Sequence, residues 1–407
     1  MIKIDTDNKK IDEIISRSVD TIYPNKEDLR KLLASGKQIA VYVGIDPTAD
    51  YVHLGHSTNY LLLERLHQLG HKIIVLVGDF TAMIGDPSDK TSSRVQLSKE
   101  DVFRNLSSFK EQIGKILDFE NLINPIEFKF NSEWLSKLSF DKIVGLGSNF
   151  TVQQMLERDM FEKRIEENKP LYVHEFFYPL MQGYDSVALN VDLEIGGTDQ
   201  TFNMLAGRTL ARRYLNKEKY VLTTTLLVNP VTGEKLMSKS LGTGIGLNET
   251  PENMFGKVMA LADECVIQMF IDCTRLSLNE IEAKKERLKT GENPKNLKLE
   301  LAHETVRMYH SREIADKAKI NWEKIFSDKG IPDFIPEIKT KPGSLLIDIL
   351  VNQKIVDSKT QARRLLEDGA IKNIDTDKKI TDPQMKFTNS IRLKIGKKNF
   401  IRILSDD

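Results

Sequence analysis

Cysteine is scarce. Cys265 and Cys273 are the two in 407 residues, and their spacing matches no metal-ligand pattern. A disulfide framework is therefore not expected, and a reducing cytoplasm is the expected compartment. No run approaches the roughly 18 apolar residues of a membrane span. The opening Met1-Ile2-Lys3-Ile4-Asp5 lacks a charged-then-apolar export pattern, so no leader is expected. The net charge is +0, which leaves nucleic acid open as a partner, because binding depends on a local patch. Present instead are 40% hydrophobic and 29% charged residues, the balance of a soluble globular chain. The length exceeds what one core organises, so two or three domains are expected.

Periodicity supplies the elements. Residues 1 to about 37 read as helical and polar, with Ile11, Ile14, Ile15 and Val19 at helical spacing. Ile39 to Ile45 reads as a buried strand, Leu54 to Leu69 as an amphipathic helix stopped by Gly70, and His71 to Gly78 as another buried strand. Strand, helix, strand over about 40 residues is a parallel crossover unit. The pattern recurs with a strand at Val191 to Ile195, a turn at Gly196 to Gln200, a helix from Thr201 to Tyr214 and a strand at Tyr220 to Val228. Residues 97 to 170 read mainly as helices inserted between these halves. From Pro251 to about Phe326 the chain is helical and charged, and three prolines within 331–342 mark a linker. No internal repeat is found.

Two segments carry phosphate chemistry. Val41 to Ile45 ends in the turn Asp46-Pro47-Thr48, and His53-Leu54-Gly55-His56 then opens a helix. Ligands of open parallel sheets sit at strand carboxyl ends against helix N-termini. Imidazole N–H groups placed there can donate to phosphate oxygens as their charge grows, and Gly55 admits a flat base or sugar. Capping or surface histidines would satisfy the same spacing. Downstream, Leu236-Met237-Ser238-Lys239-Ser240 follows a strand and a turn, and Lys235 and Lys239 can close on a triphosphate. A solvated basic hairpin explains that loop alone; the pair of motifs on two halves of one sheet is the stronger signal.

These segments resemble the HIGH and KMSKS motifs of class I aminoacyl-tRNA synthetases. From about residue 30 to the end, the chain resembles the bacterial tyrosine-specific branch of that family. The resemblance implies an α/β fold: a Rossmann-like parallel-sheet catalytic domain over 1–246 with an N-terminal helical extension and the insertion at about 97–170. A helical domain over 247–330, a linker at 331–342 and a small α+β RNA-binding domain over 343–407 complete it. By resemblance His53 and His56 stabilise the reacting α-phosphate, Thr48 meets the γ-phosphate, and Lys239 clamps the diphosphate. Contacts to ATP are implied for Gly44, Asp46, Gly55, Gly197, Asp199 and Lys239. Two departures stand out: Leu236 occupies the lysine position, with Lys235 one place earlier, and Asp89 stands where glycine is usual. Lys235 either substitutes for the missing lysine or is solvated.

Tyr178, Gln182 and Asp185 are spaced four and three apart and share one face of a helix-like stretch among apolar neighbours. A solvent-facing stripe fits the spacing as well, and Pro179 interrupts it. The tyrosine-specific enzymes carry the same pattern. It implies that Tyr178, Gln182 and Asp86 hold a substrate ammonium, while Asp185 and Tyr42 bond its phenol hydroxyl. Gly196-Gly197-Thr198-Asp199-Gln200 resembles the family's ribose-binding turn: Asp199 can accept from a ribose hydroxyl, and the resemblance implies Gln200 at the substrate carboxylate, although capping by Thr198 or Asp199 explains the turn structurally.

From Lys341 on, fourteen Lys and Arg face nine Asp and Glu, a local +5. The segment Ser358 to Leu366 reads as a capped helix leading to a strand at Ile371 to Ile374, and resembles the S-four-type RNA-binding domain. Lys359, Arg363 and Arg364 would then face RNA phosphates, unless they are a solvated face. The expected activity is tyrosine–tRNA ligation, with L-tyrosine, ATP and tRNA(Tyr) as partners and Mg²⁺ carried on ATP. No protein-bound metal is expected; a homodimer is implied by the family. Two alternatives stay open: a tryptophan-specific synthetase, and an inactive RNA-binding paralogue.

Overall fold

A computed structural model describes residues 2–86, 97–157, 159–237, 244–327, 337–340, 342–353, 355–356, 358–396 and 399–405. The chain divides into two compact units between Arg312 and Glu313.

The first unit is built on a six-stranded sheet. Its strands are β1 (Val19–Tyr23), β2 (Ala40–Ile45), β3 (Lys72–Val77), β4 (Glu127–Phe130), β5 (Leu193–Gly197) and β6 (Tyr220–Thr224), in the spatial order β1-β6-β5-β2-β3-β4. Strands β2 to β6 run parallel, and β1 pairs antiparallel with β6 at one edge. The central strands read as unbroken β-branched runs because both their faces are covered. Val41, Val43, Ile74, Val75 and Leu76 are all buried, each contributing about 1.5–3 kcal/mol relative to exposure. Helix Leu54–Gln68 connects β2 to β3 and buries Leu54, Tyr60, Leu61, Leu62, Leu63 and Leu66. It ends at Gly70, whose φ of +96° only glycine adopts readily.

One expectation fails in this unit. The first 37 residues are not wholly helical: Val19-Asp20-Thr21-Ile22-Tyr23 forms β1 between helices Asn8–Ile14 and Lys26–Ala34. Its β-branched run is short, and the open edge of β6 recruits it. The inserted segment is mainly helical, as expected, and also contributes Glu127–Phe130, which joins β3 as a parallel strand. The helices from Pro251 to Tyr309 belong to the same compact unit as the sheet. Arg17 explains part of this. It is buried and donates to the carbonyls of Ile271, Thr274 and Leu276 at 2.7–2.8 Å, capping helix Val266–Cys273 from the far end of the chain.

The second unit carries a five-stranded sheet in the order β7-β11-β10-β8-β9, with β7 (Glu337–Thr340), β8 (Ile371–Asn373), β9 (Lys379–Ile380), β10 (Ile391–Ile395) and β11 (Asn399–Ser405). Part of the expected linker is therefore a strand: β7 pairs in parallel with β11. Helices Leu346–Asn352 and Lys359–Glu367 pack on an apolar core that includes Leu350, Ala362, Leu366, Ile371, Leu393 and Ile403. Ser358 caps the second helix by accepting from the Gln361 amide at 3.2 Å.

Candidate active site

Strands β2 and β5 are neighbours, yet from them the sheet grows in opposite directions, towards β3 and towards β6. At such a reversal the loops beyond the strand carboxyl ends part and leave a crevice. A cleft of about 690 Å³ opens there. Its lining includes Tyr42, Gly44, Asp46, Thr48, His53, Gly55, His56, Asp86, Tyr178, Gln182, Asp185, Gly197, Asp199, Gln200 and Lys235. These residues come from strands, loops and helices up to 193 positions apart in sequence, and the sheet brings them to one place. Lys239 and Asp89 lie outside the described residues.

The start of helix Leu54–Gln68 forms one end of the cleft. His53 is its N-cap, and His56 Nδ1 accepts from the His53 amide at 3.2 Å. The two imidazoles stack with centroids 3.7 Å apart and planes 18° from parallel. Both the capping role and the cleft-facing role are therefore met by the same pair. Gly55 is needed for this packing, since a Cβ there would stand 3.0 Å from the His53 ring and 3.2 Å from Met237 Cβ. Further along the chain, Leu54 donates to the Ile245 carbonyl at 2.9 Å, and Leu247 donates to the Val52 carbonyl at 2.7 Å. The described residues on either side of 238–243 thus both lie against the first motif. Lys235 is held by a hairpin in which Leu236 donates to the Leu227 carbonyl at 2.8 Å.

Helix Val173–Leu189 forms the other end. Tyr178 and Asp185 are buried, so the solvent-facing alternative for this stripe is excluded. Pro179 sits inside the helix and leaves the Glu175 carbonyl without its usual donor. Tyr178 donates to Asp46 Oδ2 at 2.9 Å. Burial, followed by Asp46 and Asp86, raises its phenol well above the usual range, so it remains a hydroxyl donor. Asp185 accepts from Trp134 Nε1 at 2.7 Å and from Asn131 Nδ2 at 3.2 Å. Burial pushes its carboxyl well up, and these two donors pull against that shift. The Tyr42 hydroxyl lies 3.0 Å from Ser186 Oγ; burial, then Glu194 and Asp185, hold that phenol well above its ordinary range. Asp86 accepts from Gln200 Nε2 at 2.7 Å, tying the helix-start turn after β5 to the loop after β3.

Several cleft residues carried no motif signal. Trp134 and Asn131 follow β4, the strand hidden within the insertion, and reach Asp185 only through the fold. Thr81 donates to Asp46 Oδ1 at 2.7 Å. Glu194 had a legible sign: a carboxylate between Leu193 and Ile195 in an apolar strand. Among the described residues, no group of three or more His, Cys, Asp and Glu side chains is placed to hold a metal ion.

Known proteins match this arrangement. The family model described as tRNA synthetases class I (W and Y) matches residues 34–327, and that of the SYY-like C-terminal domain of tyrosine–tRNA ligase matches residues 324–403. A tyrosine–tRNA ligase of Carboxydothermus hydrogenoformans is 43% identical, over 96% of this chain and 97% of the relative. One from Haemophilus influenzae is 42% identical, over 96% of this chain and 95% of the relative. Among solved structures, a C-terminally truncated mitochondrial tyrosyl-tRNA synthetase of Aspergillus nidulans superposes with a TM-score of 0.64 at 21% identity, covering 78% of this chain and 98% of that one. The tyrosyl-tRNA synthetase of Archaeoglobus fulgidus, complexed with L-tyrosine, gives a TM-score of 0.59 at 23% identity, covering 77% of this chain and 100% of that one. At those identities the structural likeness is one of fold.

Proposed function

The chain belongs to the class I tRNA synthetases of the W and Y group and, within them, to the tyrosine–tRNA ligases, and we propose that its cleft activates L-tyrosine with ATP and passes it to the 3′ end of tRNA(Tyr). Tyrosine lies along helix Val173–Leu189. Its ammonium meets Asp86, Tyr178 and Gln182, its carboxylate turns towards Gln200, and its phenol reaches Tyr42 and Asp185. ATP lies across Gly44, Asp46 and Gly55, with its ribose at Gly197 and Asp199 and its phosphates at Thr48, His53 and His56. Lys235 and Lys239 take the diphosphate.

In the first step a tyrosine carboxylate oxygen bonds to the α-phosphorus, and the bond from that phosphorus to the bridging oxygen of the β-phosphate breaks. Tyrosyl-adenylate forms and diphosphate leaves with the electron pair. The nucleophile is already ionised, so the protein supplies position and charge stabilisation rather than a base. Mg²⁺ enters with ATP as part of the substrate. In the second step a hydroxyl of the terminal adenosine attacks the tyrosyl carbonyl and AMP leaves. Lys359, Arg363 and Arg364, all exposed on helix Lys359–Glu367, face tRNA phosphates in the basic C-terminal unit.

The buried pair of Tyr42 and Asp185 carries the choice of amino acid. Tyr42 already lies against Ser186, and Asp185 already accepts from Trp134 and Asn131. The phenol and carboxylate keep further hydrogen-bonding capacity, which a substrate hydroxyl uses and an apolar ring would bury unused. Tyrosine brings that hydroxyl; tryptophan and phenylalanine do not. A homodimer is supported by apolar surface on the first unit: Phe140 is 79% exposed and Val173 72%. The free, buried thiols of Cys265 and Cys273 fit a reducing cytoplasm as the working compartment. Incubation with ATP, tRNA(Tyr) and labelled amino acid tests the proposal. The expected products are tyrosyl-tRNA and AMP in equal amounts; charging with tryptophan instead, or no charging, would overturn it.

A further inference from the structure

Strand β5 carries a buried charge between the buried Leu193 and Ile195. Glu194 is 1% exposed, and its register partner in β2 is Tyr42. Lys219, 0% exposed just before β6, forms an ion pair with Glu194 Oε2 and donates to the Met204 carbonyl at 3.0 Å. The fold makes room for this pair. A Cβ on Gly207 would stand 2.5 Å from Lys219 Nζ and 2.6 Å from Ser186 Oγ, so a larger residue there would displace the ammonium from this position. On its other side, Glu194 Oε1 accepts from Gln182 Nε2 at 3.0 Å. A carboxylate can only accept, so the Gln182 atom facing it is the NH₂ group, and the amide carbonyl oxygen is the one left to the cleft.

We propose that the Lys219–Glu194 pair is a positioning device for the substrate ammonium: it fixes the Gln182 amide in the one orientation that presents an acceptor to the cleft. This rests on the tyrosine pocket described above. Lys219 pairs with Glu194 on one side, the Glu194 carboxylate holds the NH₂ group of Gln182 on the other, and the Gln182 carbonyl oxygen accepts from the tyrosine ammonium. An amide at position 194 offers both a donor and an acceptor. Gln182 is then free to turn by half a rotation and set its own NH₂ against the substrate's positive charge.

The test is ATP–pyrophosphate exchange with wild type and Glu194→Gln/Lys219→Gln. Both residues change together because either change alone leaves an unpaired buried charge. Three constants are read: KM for tyrosine, KM for ATP, and the inhibition constant of 3-(4-hydroxyphenyl)propanoate, which is tyrosine without its ammonium. The tyrosine KM is expected to rise about three- to tenfold while the other two constants stay within about twofold. An unchanged tyrosine KM, or equal weakening of tyrosine and its deaminated analogue, overturns the positioning role. If that variant fails to melt cooperatively, Glu194→Met/Lys219→Met is read by the same criteria. Wild-type exchange separates the two levels of the account: its absence removes the pocket itself, whereas normal wild-type exchange with an unaltered variant removes only the role of Lys219 and Glu194.

Discussion

The cleft and the C-terminal unit treat polar groups in opposite ways. Around the cleft, Asp185, Glu194, Lys219, Asp86 and His53 are all buried. In the C-terminal unit, no polar or charged side chain is buried among the described residues from 337 on; its core is aliphatic and aromatic, and its charges face outward. Burying an unsatisfied polar group costs about 1–3 kcal/mol, so a fold gathers such groups where a ligand or a partner satisfies them. A surface that reads a phosphate backbone has no need of buried polarity, because exposed cations suffice. The difference accords with the proposed division of labour, chemistry in the first unit and the holding of a large polyanion in the second.

Ending the chain after Ser327, where the synthetase family match stops, breaks the comparison most severely. Pyrophosphate exchange is expected to survive, and tRNA charging to fall to background; loss of both would mean that the C-terminal unit supports the cleft. Within the cleft, His56→Ala is expected to slow adenylate formation about 10²- to 10³-fold, the size of losing one transition-state donor, while tyrosine binding measured by equilibrium dialysis stays nearly unchanged. Equal loss in rate and binding would assign His56 to ground-state contact. In the C-terminal unit, Arg363→Ala/Arg364→Ala is expected to raise the KM for tRNA. It should also flatten the dependence of log K on log salt by about 0.7–0.9 per residue, with exchange untouched.

The smallest effect is on stability. His71 is fully buried, and burial lowers its imidazole to about 4. Below pH about 6.5 the unfolded chain takes up a proton that the folded protein refuses. Stability is therefore full above that pH and declines as pH falls towards about 4, by on the order of 3 kcal/mol. Urea denaturation at several pH values is expected to show this slope in wild type and a shallower one in His71→Met.

The cleft was largely legible because its residues sit in short motifs at the ends of strongly apolar strands. His53 and His56 flank a helix start, and Tyr178, Gln182 and Asp185 share a helix face; spacing marked both groups as candidates, and the family resemblance favoured the site reading over the structural alternatives. Strands β1, β4 and β7 were not legible. Each has five residues or fewer and lies at a sheet edge or next to one, so neighbouring strands decide its conformation more than its own sequence does. The links from Trp134 and Asn131 to Asp185, and from Lys219 to Glu194, join residues 25 to 54 positions apart. Each requires the completed sheet. The Pro179 helix shows the reverse case, in which tertiary burial of Tyr178 and Asp185 outweighs a local breaker.

Exchange rates of the wild-type protein with tyrosine, phenylalanine and tryptophan, set beside those of Asp185→Ala, test the account most directly. Its central claim is that the enclosed phenol and carboxylate at the end of the cleft are completed by the substrate's hydroxyl. The account predicts rapid exchange with tyrosine alone, and a tyrosine-over-phenylalanine preference that drops about 10- to 100-fold in Asp185→Ala. A wild-type protein that accepts phenylalanine or tryptophan as readily as tyrosine, or an Asp185→Ala variant with its preference intact, would contradict it.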